Sequence, residues 1–235
     1  VITLYGGPTP NARKVAIALE EMALPWRLHL VDMLAGDQLA PGFVALNPNN
    51  KSPVIVDEEG PAGRLVLWES GAILWYLAEK TGRFVPDDPR GRATCHQWLM
   101  FQMSGIGPMF GQNAHFSFYA KDKHPYAIER YANEVTRLLG VLEGRLSVVP
   151  YLAGEAYTVA DMATYPYTAR QVQSRPGEFP SLERWSAQIA ARPAVRKGMD
   201  VARENLRRET IEGGLSGLTD EQRSILFGPR QYARR

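Results

Sequence analysis

The hydrophobic pattern of the first 82 residues changes period several times. Val1-Ile2-Thr3-Leu4-Tyr5 is a short apolar run and predicts a buried strand. Gly6 to Asn11 follows, read G-G-P-T-P-N, a turn rich in breakers of regular structure. Residues 12–23 place Val15, Ala18, Leu19 and Met22 on one helical face, and Leu24-Pro25 stops that helix. Trp26 to Val31 alternates as a second strand does. A loop at Ala35 to Gln38 and a helical turn within Pro41 to Leu46 lead to Asn47–Pro53, a second cluster of turn formers. Val54 to Asp57 and Arg64 to Leu67 read as two more strands, separated by a turn carrying Gly60, Pro61 and Gly63. Glu69-Ser70-Gly71 then opens a helix that runs to Lys80 and stops at Gly82.

Beyond Phe84 to Pro89, a proline-rich linker, only helical periodicity is found. Helices are expected from Arg90 to Gly105 or further, Tyr126 to Leu146, Ala160 to Val172, Leu182 to Ala191 and Ala194 to Leu206. Gly213 to Gly217 breaks the pattern, and Thr219 to Leu226 predicts a short helix in an extension. A βα unit, a hairpin and a closing helix make one mixed sheet with helices on both faces, the thioredoxin-like arrangement. The expected fold class is thus an α/β thioredoxin-like N-terminal domain (1–83), a linker (84–89), an all-α C-terminal domain (90–210) and an extension (211–235).

Composition narrows the function classes. The 235 residues are 45% hydrophobic, enough for an ordinary core. A net charge of +2 with both signs interspersed leaves no basic stripe, so no nucleic-acid partner is expected. No apolar run is long enough for a membrane span, and the first residues lack the charged and apolar segments of a leader peptide. One cysteine, Cys95, rules out an intrachain disulfide framework and fits a reducing, cytoplasmic setting. His29, His96, His115 and His124 lack metal-ligand spacing, so no metal is expected.

Candidate chemistry sits where strands turn into helices. Thr9 and Asn11 can cap the first helix, or they can face an anion held at its N-terminus. Ser52-Pro53 precedes a strand; a trans bond makes it an ordinary strand opening, while a cis bond turns its backbone toward an extended ligand. Ser70 can cap its helix or, with the free N–H groups there, hold a carboxylate, and Glu69 beside it suits an ammonium. In the helical half, Thr158-Val159-Ala160-Asp161 has the form of a capping box, with Tyr157 and Met162 placed for a hydrophobic staple. Tyr5, inside the first strand, reads as core.

Taken together, these marks resemble the glutathione S-transferases over about residues 1–210. Within that family the chain is most similar to the nu class, the bacterial relatives of the yeast nitrogen-regulator-like transferases. The resemblance is carried by T-P-N at 9–11, N-P-N-N-K-S-P at 47–53, W-E-S-G-A-I-L-W-Y-L-A-E-K-T-G at 68–82, G-P-M-F-G-Q at 107–112 and P-Y-A-I-E-R-Y at 125–131. It implies glutathione as cosubstrate, with room for two molecules per site, and a homodimer. Thr9 and Asn11 would face the thiol, and Ser52 and Pro53 the cysteinyl part. Glu69 and Ser70 would hold the γ-glutamyl head, with Gln38 and Lys51 near the glycyl end. Arg130 would reach the partner subunit's glutathione. Ser52 departs from the family, where an apolar residue is commoner. The second substrate would lie against the helix carrying Phe110, Gln112 and Phe116. With no cysteine at the turn, a disulfide, peroxide, thioether or aryl ether would be attacked by the thiolate of glutathione itself. The alternative is a non-catalytic glutathione-binding or regulatory protein on the same scaffold.

Overall fold

The computed structural model describes residues 1–203 and 218–232. Its four strands are β1 (Ile2–Gly6), β2 (Trp26–Leu30), β3 (Val54–Gly60) and β4 (Gly63–Trp68), in the order β2-β1-β3-β4. β1 runs parallel to β2, while β1–β3 and β3–β4 are antiparallel. The parallel pair needs a crossover, supplied by α1 (Pro10–Glu21). The antiparallel pair closes as a hairpin, and α3 (Ser70–Thr81) returns along the sheet. Alternation splits β1 between two faces. Ile2 and Leu4 join the main core with Val15, Leu19, Ile73 and Leu77, while Tyr5 packs on a smaller cluster of Val31, Phe43 and Val54. Phe43 comes from the short α2 (Pro41–Val44), so the sheet is covered on both faces, as the order of elements predicts.

The helical half begins with one long column. α4 (Pro89–Phe101) continues through a π-helical turn (Gln102–Ile106) into α5 (Gly107–Ala114), and a second π-helical turn (His115–Tyr119) ends it. Then follow α6 (Pro125–Leu146), α7 (Val159–Gln173), α8 (Pro180–Ala190) and α9 (Pro193–Met199). The helix expected from Ala194 ends at Met199, with Asp200 as its C-cap and Ala202 at a left-handed φ of 56°. Its expected stretch over 204–206, and the Gly213–Gly217 segment, lie outside the described residues. The short helix of the extension is present as α10 (Asp220–Phe227), followed by α11 (Pro229–Tyr232). α10 lies across both halves. Ile225 faces Gly36, Phe227 packs on His115 and Tyr119, and Arg223 donates to the Tyr119 carbonyl.

The two halves are joined through α1, which packs on α7 and α9. Arg192 forks onto Glu21 at 2.5 and 2.8 Å, and Lys197 meets Glu20 at 2.8 Å. Gly198 makes the close approach possible, since a Cβ there would lie 2.6 Å from Ile17 Cα. On helix propensity alone, Gly198→Ala would gain up to about 1 kcal/mol. Because the obstacle is backbone, we expect instead a loss of about 1–3 kcal/mol in urea unfolding. A stabilised variant would contradict this packing.

Candidate functional site

Two helix N-termini converge on one cleft of about 150 Å³. Asn11, Lys51, Ser52, Pro53, Glu69 and Ser70 line it, joined by Asn47, Asn49 and Met103. Residues from three separated stretches of sequence are thereby brought together, with β1 and β3 neighbours in the sheet and α1 beside α3.

The α1 end is built as a cap with a hydrogen to spare. Thr9 is extended (φ −98°, ψ 152°) and its Oγ1 accepts from the Ala12 amide at 3.3 Å. A hydroxyl that accepts still has its own proton to donate. Capping and ligand binding are therefore compatible uses of Thr9. Pro10 occupies the first helical position, where its missing N–H costs nothing. Asn11 follows, and its Oδ1 accepts from the Tyr167 hydroxyl at 3.0 Å.

The loop before β3 is braced by buried Asn47. Its Nδ2 donates to the Lys51 carbonyl at 2.6 Å, and its Oδ1 accepts from the Asn49 amide at 2.9 Å. The Ser52–Pro53 bond is cis. Ser52 Oγ is buried with no hydrogen-bond partner among the described residues. The Lys51 ammonium lies against the Gln231 side-chain amide, so α11 reaches this end of the cleft.

At the α3 end, Glu69 is exposed and held at φ 71°, a conformation that disfavours any residue with a side chain. Such strain persists where its surroundings over-determine it, commonly at ligand clamps. Ser70 is buried, and its Oγ accepts from Lys14 Nζ at 3.2 Å. The Ser70 proton has only the weak sulfur acceptor of Met103, 3.6 Å away, which a carboxylate could replace. Gly71 lets Met103 come so near, because a Cβ there would sit 2.8 Å from Met103 Cγ.

Lys14, Gln102 and Tyr167 form a layer beneath the cleft that sequence reasoning missed. Lys14 is 1% exposed, donates to Gln102 Oε1 at 2.6 Å, and lies 5.0 Å above the Tyr167 ring. One signal was available, a lysine three residues after Asn11 on the helix face that carries Ile17 and Ala18. Burial lowers Lys14 to about 7, with Glu69 opposing. The unfolded chain holds that proton up to the ordinary value of 10.5. Between those values the unfolded state binds more protons, so stability rises with pH. Lys14→Met is expected to remove that contribution, at most about 1.4 kcal/mol per pH unit. Urea unfolding of parent and variant from neutral to alkaline pH checks this; a constant difference would contradict it.

The other expected residues lie apart. Gln38 is buried, its Nε2 donates to the Met33 carbonyl at 3.2 Å, and its Oε1 has no partner among the described residues. It does not line the cleft. Arg130 projects from α6 with its guanidinium 4.0 Å from Glu134 and is not among the residues lining the cleft. Phe110 is buried edge-on against Tyr167, and Gln112, two residues further, is exposed. Phe116 lines a separate cavity of about 460 Å³ with His115, His124, Tyr119, Arg223 and Phe227. A groove of about 610 Å³ runs along β4, α3 and α4, with Leu67, Trp75, His96 and Met100 on its walls. Among the described residues no helix is long and apolar enough to cross a membrane.

Comparison with known proteins finds the same combination. Residues 9–80 match the glutathione S-transferase N-terminal domain, and residues 107–193 the C-terminal domain. The chain is 46% identical over 199 residues to the disulfide-bond oxidoreductase YfcG of Escherichia coli K12, covering 83% of this chain and 93% of that protein. A glutathione transferase from Burkholderia graminis, solved with two glutathione molecules per subunit, superposes with a TM-score of 0.80 at 47% identity, covering 85% of this chain and 87% of that one. One from Pseudomonas putida, solved with one glutathione disulfide per subunit, gives 0.79 at 44% identity, covering 84% and 90%. By its sheet topology, its all-helical second half and these matches, the chain belongs to the glutathione S-transferase family.

Proposed function

We propose that this protein is a glutathione-dependent thiol–disulfide oxidoreductase whose cleft holds glutathione as a thiolate at the N-terminus of α1. The observation that carries the reading is the convergence of Asn11, Ser52-Pro53 and Glu69-Ser70 on one cleft, with Thr9 capping the same helix. The γ-glutamyl carboxylate would take the Ser70 hydroxyl and the α3 N–H groups, and its ammonium would take Glu69. The cysteinyl backbone would lie along Ser52, and Lys51 suits the glycyl carboxylate. The buried, unpartnered Ser52 Oγ gives that part of the cleft one more polar group for a peptide. The division of labour follows the expected segmentation, with residues 1–83 holding glutathione and 90–210 walling the second substrate.

The electrostatics are sufficient without a dedicated base. Lowering a thiol from about 8.5 by about two units requires roughly 2.7 kcal/mol. A hydrogen bond to a charged group contributes about 1.5–3 kcal/mol, and a helix N-terminus up to about 2. In the reaction, the bound thiolate attacks one sulfur of a disulfide. A new sulfur–sulfur bond to glutathione forms, the old one breaks, and the departing thiolate takes a proton from water. A second glutathione, as in the Burkholderia graminis structure, is the natural partner for releasing oxidised glutathione.

Homodimerisation completes the proposal, with Arg130 reaching the partner's site. The 60% exposed, loosely paired Arg130 side chain and the apolar groove on β4, α3 and α4 support it. Parallel assays of glutathione with a mixed disulfide, a peroxide and an activated aryl ether test the reaction class. Fastest turnover on the disulfide is expected. Equal inactivity on all three, with glutathione still bound, would leave a binding protein instead.

A further inference from the structure

We propose that Tyr167 is a positioning residue that orients the Asn11 side chain, so that its amide nitrogen and not its oxygen meets the ligand thiolate. The proposal rests on the reading of the cleft given above and assigns a role to a residue outside it. A carboxamide presents two faces of opposite polarity. Its N–H₂ end stabilises an anion, and its carbonyl end repels one. Asn11 lines the cleft near the start of α1, where either end could turn toward a ligand. The Tyr167 hydroxyl resolves this by donating to Asn11 Oδ1 at 3.0 Å from 156 residues away. With the oxygen engaged, the N–H₂ is the end left for the cleft.

The surroundings of Tyr167 suit a donor that never loses its proton. Burial pushes its phenol up to about 12, with the Asn11 hydrogen bond opposing. The Lys14 ammonium lies 5.0 Å from the ring centroid, and Phe110 packs edge-on at 6.3 Å. Lys14 itself is anchored by Gln102 and Ser70. Gly107, at the junction of the first π-helical turn with α5, has its own missing Cβ position 3.8 Å from the Tyr167 oxygen. The ring, carried on α7, is therefore held by packing from α1 and α5, and its hydroxyl donates to Asn11 Oδ1.

Tyr167→Phe removes one oxygen and leaves the ring in place. We expect the pKa of bound glutathione to rise by about half a unit to one unit, the worth of one hydrogen bond. The affinity for S-methylglutathione, which has no thiol to ionise, should stay within about twofold of the parent, since only Asn11's orientation toward sulfur is lost. In a cycle with Asn11→Ala, the hydroxyl should matter only when Asn11 is present, so the double variant should titrate as Asn11→Ala does. Additive shifts, or an unshifted Tyr167→Phe, would overturn the positioning role. An unshifted Asn11→Ala would overturn it as well, whereas a parent whose bound thiol still titrates at about 8.5 would overturn the thiolate reading itself, which keeps the two failures distinct. A parent-like thermal midpoint qualifies Tyr167→Phe for the comparison, and Tyr167→Met, which fills the space without a hydroxyl, replaces it otherwise.

Discussion

Asn11→Asp is expected to cut kcat/KM at neutral pH by about a hundredfold or more while making the protein slightly more stable than the parent. The substitution is nearly isosteric and reverses the sign of one interaction. On the proposed function, the parent amide would offer a donor to the thiolate, a bond of about 1.5–3 kcal/mol when one partner is charged. A carboxylate loses that donor and adds a like charge, worth roughly 4 kcal/mol at 4 Å for an effective dielectric constant near 20. Asn11→Ala loses only the donor and should fall by about tenfold to a hundredfold. The order of effects, Asp worse than Ala, separates an electrostatic role from a packing role. Stability should move the other way, because an acidic residue in the first turn of α1 gains about 0.3–1 kcal/mol from the helix dipole. An Asp variant as active as the Ala variant would show that Asn11 does not face the thiol.

The largest effect on stability is expected at Asp161. Its carboxylate is wholly buried and accepts from the Leu152 amide at 3.0 Å, the Thr158 amide at 2.9 Å, the Thr158 hydroxyl at 3.0 Å and the Trp185 indole at 2.8 Å. Burial raises the carboxyl's pKa, and these donors oppose the rise. Asp161→Ala would strand all of them inside the helical core. We expect a loss of about 3–5 kcal/mol, of the size seen when one member of a buried charged network is removed. That corresponds to a drop of about 10 °C in thermal midpoint for a chain of this length. Thr158→Ala should cost about 1 kcal/mol, as for an ordinary cap. Equal costs for the two would mean that Asp161 does no more than close a capping box.

Asp161 also marks how far the sequence could be read. The T-V-A-D spacing announces the box, because an N-cap and its third helical residue are neighbours along the chain. Trp185 and Leu152 as further donors are not announced, because they depend on how α8 and the loop before α7 pack. The strands were legible for the same local reason, as changes of period between breakers. β3 nevertheless runs on to Gly60, past the expected Asp57, because pairing with β4 continues through an irregular register. The π-helical turns have no periodic signature of their own, and Gly105 in the first of them reads equally well as a helix end, so they were not legible.

The candidate site divides along the same line. Thr9, Asn11, Ser52, Glu69 and Ser70 stand at strand-to-helix turns or strand openings, where a short motif determines the local backbone. Lys14, Gln102 and Tyr167 act from elements far apart in sequence, and only packing of α1 on α7, and of α7 on the α4–α5 column, brings them together. Gln38 illustrates the converse. It stands in a short 3₁₀ turn, yet its side chain folds back to brace the Met33 carbonyl instead of lining the cleft.

The central claim is that the α1 N-terminus, with Thr9 and Asn11, holds glutathione as a thiolate. The most direct measurement is a pH titration of the ultraviolet thiolate absorbance of glutathione bound to the protein, referenced to S-methylglutathione. The proposed function predicts an apparent pKa about two units below the free value of about 8.5. A bound thiol that still titrates at about 8.5 would contradict the claim.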